Sequence, residues 1–391
     1  MNRRKFLFLI DLILFLLMVL SISLIFKKQE VKSVSSSNFV VDQLTACTDP
    51  SASMRITQCL KVAAENIVQN VTLEDFSKAI RENESKQEVF KNCHRVSHYI
   101  GRLEYQKSRN IGNVLSRCEH ICSDGCYHGA VEGYFIAKNI TLSTENHDKV
   151  SGEVAKICGN KEDYDVPELY ASCLHGLGHA VMFITDNELL QALDLCDALT
   201  GTEELELCYT GIFMSNSDSR TDSDHPSKYL KNDDPMYPCT ILPLRYQKKC
   251  YEYNTFNFYY FTNFDWAKVI ELCGQVPKDY RRGCYETMGG DQVGFTYDMV
   301  KIKKACAEIK TEEFVGACIK GAEANLVMRY SSDFVKPIEF CKLWEGRLRD
   351  SCFEDFIVFL NRWSRDSNKK VYVCQKIEEE EGINKCLEKI N

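Results

Sequence analysis

The pattern of apolar and polar residues changes after the first thirty residues. A mostly apolar run extends from residue 6 to residue 26, with a basic cluster before it and two lysines after it. About 20 apolar residues span a bilayer, whereas the apolar core of a cleaved signal peptide has roughly 7–15. The run therefore predicts a retained signal anchor, a single transmembrane helix within residues 1–28. Its basic end favours a cytoplasmic N-terminus and an exported, extracytoplasmic remainder.

Beyond this run, residues 29–45 are rich in serine and predict a short flexible stalk. From residue 46 onward, apolar residues recur at helical spacing in short segments. In 265–293, DWAKVIELCGQV and RRGCYETMGGDQV both show this spacing, and PKDY separates them. Pro277 lies in the separator, where it cannot interrupt a helix. The pattern predicts an all-α fold built from helical hairpins, each with a helix A, a short turn and a helix B.

The cysteines give these hairpins a period. One series falls early in each predicted helix B, with steps of 33 to 35 residues in all but two cases; its members are Cys59, Cys93, Cys126, Cys173, Cys208, Cys250, Cys284, Cys318, Cys352 and Cys386. The two longer steps contain polar insertions. A period of about 34 residues is typical of a solenoid. We therefore expect residues 46–391 to form an α-solenoid of about ten repeats, and the sequence leaves open whether it curls toward a toroid.

A second cysteine series precedes the first by 11 to 15 residues and predicts a disulfide within each hairpin. The predicted pairs are Cys47–Cys59, Cys158–Cys173, Cys196–Cys208, Cys239–Cys250, Cys273–Cys284, Cys306–Cys318, Cys341–Cys352 and Cys374–Cys386. Four cysteines remain, and their pairing stays open: Cys93, Cys118, Cys122 and Cys126. The simplest arrangement joins 118 to 126 and 93 to 122. The period is similar to that of tetratricopeptide-type repeats, although the Trp, Gly, Tyr and Pro positions of that consensus are missing.

The composition indicates the kind of cellular compartment and excludes one class of partner. Twenty cysteines in an even, regular framework indicate an oxidising compartment, and the sequence has none of the C-x-x-C pairs that zinc ribbons use. The net charge of −8 argues against nucleic acid as a partner, because that role needs a basic face.

Histidines are concentrated in one part of the chain. All eight except His225 lie between residues 94 and 179. Three consecutive B helices each carry two metal-ligand residue types four positions apart, which places them on one helix face. The candidate ligands, within residues 93–180, are His94, His98, His128, Glu132, His175 and His179. Glu132 is also the candidate general base. The first pair is rotated by about 100° from the other two relative to the helix-B cysteine.

These residues predict a divalent metal, with zinc or copper favoured for nitrogen-rich ligation and iron possible. The chain would then be a metal-binding exported protein and, if a coordination position stays open, a metal-dependent enzyme. The alternative is a non-enzymatic solenoid whose concave face binds a protein or glycan. In that case the histidines are structural, because the position two residues after the helix-B cysteine is polar in every copy. The sequence contains no G-x-S-x-G, P-loop or H-E-x-x-H motif to settle the question of activity.

Overall fold

The structure is a computed structural model that describes residues 36–48, 56–83, 86–119, 121–140, 146–164, 166–220, 227–296, 298–330 and 334–390. Helices make up 77% of these residues, and this part of the chain contains no strand. The predicted all-α fold class is therefore confirmed.

Twenty α-helices form the described part of the chain. In chain order they are α1 (Ser36–Ala46), α2 (Ile56–Asn70), α3 (Leu73–Asn83), α4 (Gln87–Ser108), α5 (Ile111–Leu115), α6 (Gly125–Ala137), α7 (His147–Val154), α8 (Pro167–Ile184), α9 (Leu189–Cys196), α10 (Thr202–Asp218), α11 (Leu244–Tyr253), α12 (Thr255–Phe261), α13 (Trp266–Gln275), α14 (Arg281–Phe295), α15 (Met299–Ala307), α16 (Glu312–Arg329), α17 (Val335–Lys342), α18 (Gly346–Trp363), α19 (Ser367–Cys374) and α20 (Glu380–Lys389). Short 3-10 helices lie at Cys122–Asp124, Lys161–Asp163, Lys278–Tyr280 and Gln375–Ile377.

All twenty cysteines lie in pairs at disulfide distance. The eight pairs within predicted hairpins are all present, with Cα–Cα distances of 5.4 to 6.0 Å. The four remaining cysteines form Cys93–Cys122 and Cys118–Cys126, with Cα atoms 5.2 and 5.7 Å apart. These spacings lie inside the window that a disulfide needs. Most pairs fasten the end of one helix to the second turn of the next.

The first helices of several hairpins begin at an aspartate. Asp265, Asp298 and Asp366 each accept a hydrogen bond from backbone amides in the first turn of α13, α15 and α19. Such caps satisfy amide groups that have no partner within the helix. Each of these three helices then ends within two residues of a cysteine, so the cap and the disulfide lie at the two ends of a short helix.

One hairpin departs from the expected pattern. The residues around Cys239, 227–243, form turns rather than a helix A. Three prolines lie in this segment: Pro235, Pro238 and Pro243. Proline has no backbone N–H to donate and it clashes with the preceding helical turn, so a helix is disfavoured here.

The B helices contact one another in chain order. The successive contacts run α2, α4, α6, α8, α10, α11, α14, α16, α18 and α20. Glycines lie at several of these crossings. A Cβ at Gly129 would overlap the backbone carbonyl of His98 on α4, and one at Gly321 would overlap that of Glu286 on α14. The lack of a side chain at these glycines therefore allows the helix backbones to pack closely.

The late part of the chain also contacts the early part. Helix α18 touches α8, and Arg362 Nε lies 2.7 Å from Glu168 Oε1. Helix α16 contacts the 3-10 turn Cys122–Asp124. The run of B helices therefore bends far enough for its second half to meet its first.

The buried apolar residues form two clusters that meet at α6. The first cluster extends from Val40 to Ala130, and the second from Val131 to Ile390. Tyr134 packs against both. Helix α6 thus lies at the boundary between two parts of the core, and it carries two of the candidate site residues.

The N-terminal region differs from two predictions, the membrane location and the flexible stalk. Among the described residues, no helix is long and apolar enough to cross a membrane, so the assignment of a single-pass membrane location is corrected: the structure gives it no support. The segment on which it was based, 1–28, lies outside the described residues. The predicted stalk, 29–45, differs too, because its residues from Ser36 onward form α1. Val40 and Leu44 are fully buried in the first core cluster, and this burial stabilises the helix.

Candidate metal centre

Five histidines converge where α4, α6 and α8 lie side by side. Helix α4 supplies His94 and His98, α6 supplies His128, and α8 supplies His175 and His179. Rings from different helices approach closely, with centroids 5.1 Å apart for His98 and His128 and 4.9 Å apart for His128 and His179. The structure therefore brings together the histidine pairs that the sequence had placed on three separate helices.

The cluster contains two overlapping sets of three ligands. The first trio is His94, His98 and His128, and the second trio is His128, His175 and His179. Within each trio, the potential ligand atoms all lie within 4.8 Å of one another. Each trio can hold a metal ion.

Nitrogen spacings in the first trio match metal coordination. His94 Nε2 lies 3.2 Å from His98 Nε2, which lies 3.3 Å from His128 Nδ1. With zinc–nitrogen bonds of about 2.0–2.1 Å, neighbouring ligands of a tetrahedral site lie about 3.3 Å apart. The second trio is similar, since His175 Nε2 and His179 Nε2 are 3.1 Å apart. These three spacings are therefore those expected of neighbouring ligands on one metal ion.

On α4, each histidine turns its other ring nitrogen to a partner that only accepts hydrogen bonds. His94 Nδ1 lies 2.8 Å from the backbone carbonyl oxygen of Cys122, and His98 Nδ1 lies 3.2 Å from Glu132 Oε1. Both Nδ1 atoms must therefore carry the proton and donate it. In the neutral rings, both Nε2 atoms then present lone pairs to each other at 3.2 Å. That arrangement is repulsive unless a cation or an additional proton lies between them.

The histidines on α8 are oriented by hydroxyl groups of α10. His175 Nδ1 lies 2.6 Å from Thr210 Oγ1, and Thr210 donates its own proton to the carbonyl oxygen of Leu207. His179 Nδ1 lies 2.6 Å from Ser215 Oγ. Hydrogen bonds of this kind on the far nitrogen fix the orientation and tautomer of metal-binding histidines.

Burial favours the neutral form of four of these histidines, His94, His128, His175 and His179. Burial is the main cause that lowers the pKa of His94 to about 3 and that of His175 to about 4. It also holds the pKa values of His128 and His179 well below 6.5, with further lowering from the neighbouring rings. Neutral imidazole is the form that binds a metal ion, so these four residues are ready to bind at neutral pH.

Glu132 lies behind His98, outside both trios. Burial alone would raise its pKa, but the charge of Arg102 and the contact with His98 oppose burial and lower the pKa to about 2. Arg102 Nε donates to Glu132 Oε2, and Oε1 faces His98. A carboxylate with so low a pKa is a weak base, and its oxygens are engaged elsewhere. This geometry makes Glu132 a positioning group for His98 and does not support the predicted role of general base.

The histidine pair on α4, His94 and His98, follows a cysteine whose disulfide differs from those of the other hairpins. In the hairpins with a standard disulfide, the helix-B cysteine bonds to a preceding helix A. Cys93 instead bonds to Cys122, in the 3-10 turn before α6. His98 lies beside His128 and Glu132, so the pair on α4 faces α6. His147, which the sequence left out of the site, pairs with Asp194 on α9.

Several contributing groups were not anticipated from sequence. They are Arg102, Thr210, Ser215 and the carbonyl of Cys122. Only Thr210 could have been found from the sequence. It lies two residues after the helix-B cysteine of α10, the position that His128 and His175 have in α6 and α8. A third potential set, Glu323 with Cys341 and Cys352, offers no thiolates because the two cysteines are bonded to each other.

The histidine cluster opens on a large cavity of about 1920 Å³. Aromatic side chains line part of its wall: Tyr253, Phe256, Tyr260, Phe264, Trp266 and Phe295. Charged groups line other parts, among them Glu168 and Arg362, which join α8 to α18. Pockets for small ligands usually have about 300–1,000 Å³. This cavity is larger, and all five histidines border it.

No protein-family model matches the chain, and no curated protein or solved structure is significantly similar to it. The function therefore has to be argued from the site itself.

Proposed function

We propose that this chain is a metal-binding protein of an oxidising compartment, with its centre formed by His94, His98, His128, His175 and His179. The observation that carries the proposal is the pair of Nε2 lone pairs on α4, which face each other at 3.2 Å. Two neutral acceptors at this distance need a metal ion or a proton between them. The buried surroundings favour neutral rings, and the framework of ten disulfides fits an oxidising environment.

The donor set favours zinc or copper, with iron as a weaker candidate. The converging atoms are all imidazole nitrogens, and imidazole suits zinc and copper. Iron in non-haem sites more often has a carboxylate ligand, and here the nearest carboxylate, Glu132, binds Arg102 and His98 instead.

The proposal extends to a metal-dependent enzyme. A trio of histidines leaves a coordination position, and the cluster borders the cavity, from which water or a substrate can approach. A bound metal ion supplies Lewis acidity and, with an open position, an activated water molecule. The role of the protein groups is to orient the rings: the Cys122 carbonyl and Glu132 act on α4, and the α10 hydroxyls act on α8.

We also propose that the hairpins form a curled α-solenoid, with the B helices on the inside around the cavity. The chain-order contacts of the B helices and the contact of α18 with α8 support this arrangement. Small-angle scattering should then give a compact particle, and an elongated one would contradict the curled form.

Metal content of the full-length chain tests the main proposal. The protein should be purified from an oxidising compartment without a histidine tag or chelator, and analysed by elemental mass spectrometry. We expect a stoichiometric metal that is lost in His94→Ala/His98→Ala/His175→Ala/His179→Ala, which leaves neither trio intact, and kept in the matched control His147→Ala. A chain that stays metal-free after reloading with zinc, copper and iron would show that a shared proton, rather than a metal, lies between the α4 nitrogens.

A second candidate is a scaffold that binds a protein or glycan in the cavity. The aromatic wall favours it, because flat aromatic faces are common in binding surfaces. Its test is a change in tryptophan fluorescence when oligosaccharides or peptides are added. The signal should disappear in Trp266→Phe/Trp363→Phe, because both tryptophans line the cavity, and Trp344→Phe is the control.

A further inference from the structure

His128 belongs to both trios. Its ring lies between the histidines of α4 and those of α8, with its centroid 5.1 Å from that of His98 and 5.0 Å from that of His175. An imidazole has two ring nitrogens on different edges, and both can bind metal. The position of His128 is therefore suited to serving two ions at once.

The contacts of the other four histidines differ from those of His128. Each of the four has Nδ1 against a protein oxygen, which is a carbonyl, a carboxylate or a hydroxyl. Each therefore offers one nitrogen to the centre. His128 Nδ1 instead faces His98 Nε2, which is itself a candidate ligand. Its ring also lies almost parallel to that of His179, at 19°.

We propose that the centre is binuclear, with His128 as an imidazolate bridge between two metal ions. This inference rests on the proposed metal-binding function. The first ion is bound by the first trio through His128 Nδ1, and the second ion by the second trio through His128 Nε2. When both nitrogens are bound, the ring proton of His128 is released to solvent, and no electron transfer is involved.

The two positions are not equivalent. Behind the first lies the carboxylate of Glu132, held by Arg102, and behind the second lie the hydroxyls of Thr210 and Ser215. A carboxylate that accepts from the far nitrogen raises the basicity of a histidine ligand more than a hydroxyl does. We therefore expect the first position to fill before the second.

Copper titration of the metal-free, full-length chain tests the bridge. Copper(II) should bind to two equivalents per chain, measured by elemental analysis, while electron paramagnetic resonance follows the spins. The first equivalent should give a normal copper signal. The second should remove most of that signal, because an imidazolate bridge couples two copper(II) spins antiferromagnetically.

Variants test the bridging role of His128 separately from the two metal positions. His94→Ala should bind a single copper, in the second position, with an uncoupled signal, and His175→Ala/His179→Ala should do the same in the first position. His128→Gln, which retains most of the side-chain volume, should never show coupling. His147→Ala should behave as the unmodified chain.

The outcomes distinguish this inference from the proposed function. One metal per chain, or two with uncoupled signals, would overturn the bridge and leave the metal-binding proposal intact. A chain that binds no copper and no zinc would overturn both.

Discussion

Two pairs of neighbouring B helices have similar backbone packing but different chemistry. In the histidine region, α6 packs against α4 at Gly129, and in the C-terminal region α16 packs against α14 at Gly321. Both glycines lie three residues after the helix-B cysteine. The residue just before each glycine differs: it is His128 in α6 and Lys320 in α16.

In the C-terminal region this position forms an ion pair. Lys320 Nζ lies 2.9 Å from Glu286 Oε1, which has the corresponding position on α14. In the histidine region, His128 and His175 have these positions and converge as neutral rings. The comparison shows that one backbone arrangement carries either an ion pair or a cluster of imidazole rings, and that the side chains decide which.

The largest expected effect comes from removing a disulfide in either region. Cys158→Ser/Cys173→Ser and Cys306→Ser/Cys318→Ser should each lower the free energy of unfolding by about 3 kcal/mol. Without the disulfide, the loop that it closed gains conformational entropy in the unfolded chain, and the unfolded state is stabilised by this amount. Denaturant unfolding measures the loss. Only the first variant should also weaken metal binding, since it loosens α8. Unchanged stability in both would contradict the stapled hairpins.

Enlarging the two glycines should separate stability from site geometry. Gly129→Ala and Gly321→Ala each place a methyl group against a backbone carbonyl, so the helices must move apart, at a cost of about 1–3 kcal/mol. Thermal melting should show a similar loss for both. Metal affinity should fall only for Gly129→Ala, because the α4 and α6 ligands are displaced. An equal effect on metal binding would mean that the site does not depend on this helix contact.

Acid should affect the two regions in opposite directions in the metal-free chain. The pKa values of His94 and His175 are about 3 and 4 in the fold and near 6.5 when unfolded. Below pH 6.5 the unfolded chain therefore binds more protons, and α4 and α8 lose stability, on the order of 2 kcal/mol per histidine at pH 5.

The carboxyl groups of the C-terminal region have the opposite sign. Burial raises the pKa of Asp291 to about 7 and that of Asp355 to about 6, against 3.8 unfolded. The folded state binds more protons here, so α14 and α18 gain stability as the pH falls from 7 to 5. Amide exchange protection factors should fall in α4 and α8 and rise in α14 and α18. Parallel changes in both regions would contradict this assignment.

The smallest effect should come from the ion pair itself. Lys320→Ala removes a partly exposed contact that contributes about 0.2–1 kcal/mol. We expect a small change in melting temperature that decreases further at high salt, and unchanged metal content. A loss of metal would show that the two regions are coupled through the cavity.

Much of this architecture is determined by local sequence. Partners such as Cys273 and Cys284 are 11 residues apart, a spacing that a helical hairpin closes by itself, and apolar residues at helical spacing define the two helices. The i, i+4 pairs such as His175 and His179 are also local, since helix geometry alone puts them on one face. For these reasons the all-α fold class and the candidate ligands could be predicted without the tertiary structure.

The convergence of the site was decided by contacts between residues distant in sequence. The Cys93–Cys122 disulfide joins α4 to the turn before α6, and the close approach at Gly129 brings α4 to α6. The role of Glu132 likewise depends on Arg102, which lies 30 residues earlier. The prolines of 227–243 disfavour an expected helix, and Glu168 meets Arg362 only through the contact of α8 with α18. Periodicity describes each helix alone, whereas rotation, packing and ion pairing depend on the neighbours that the fold supplies.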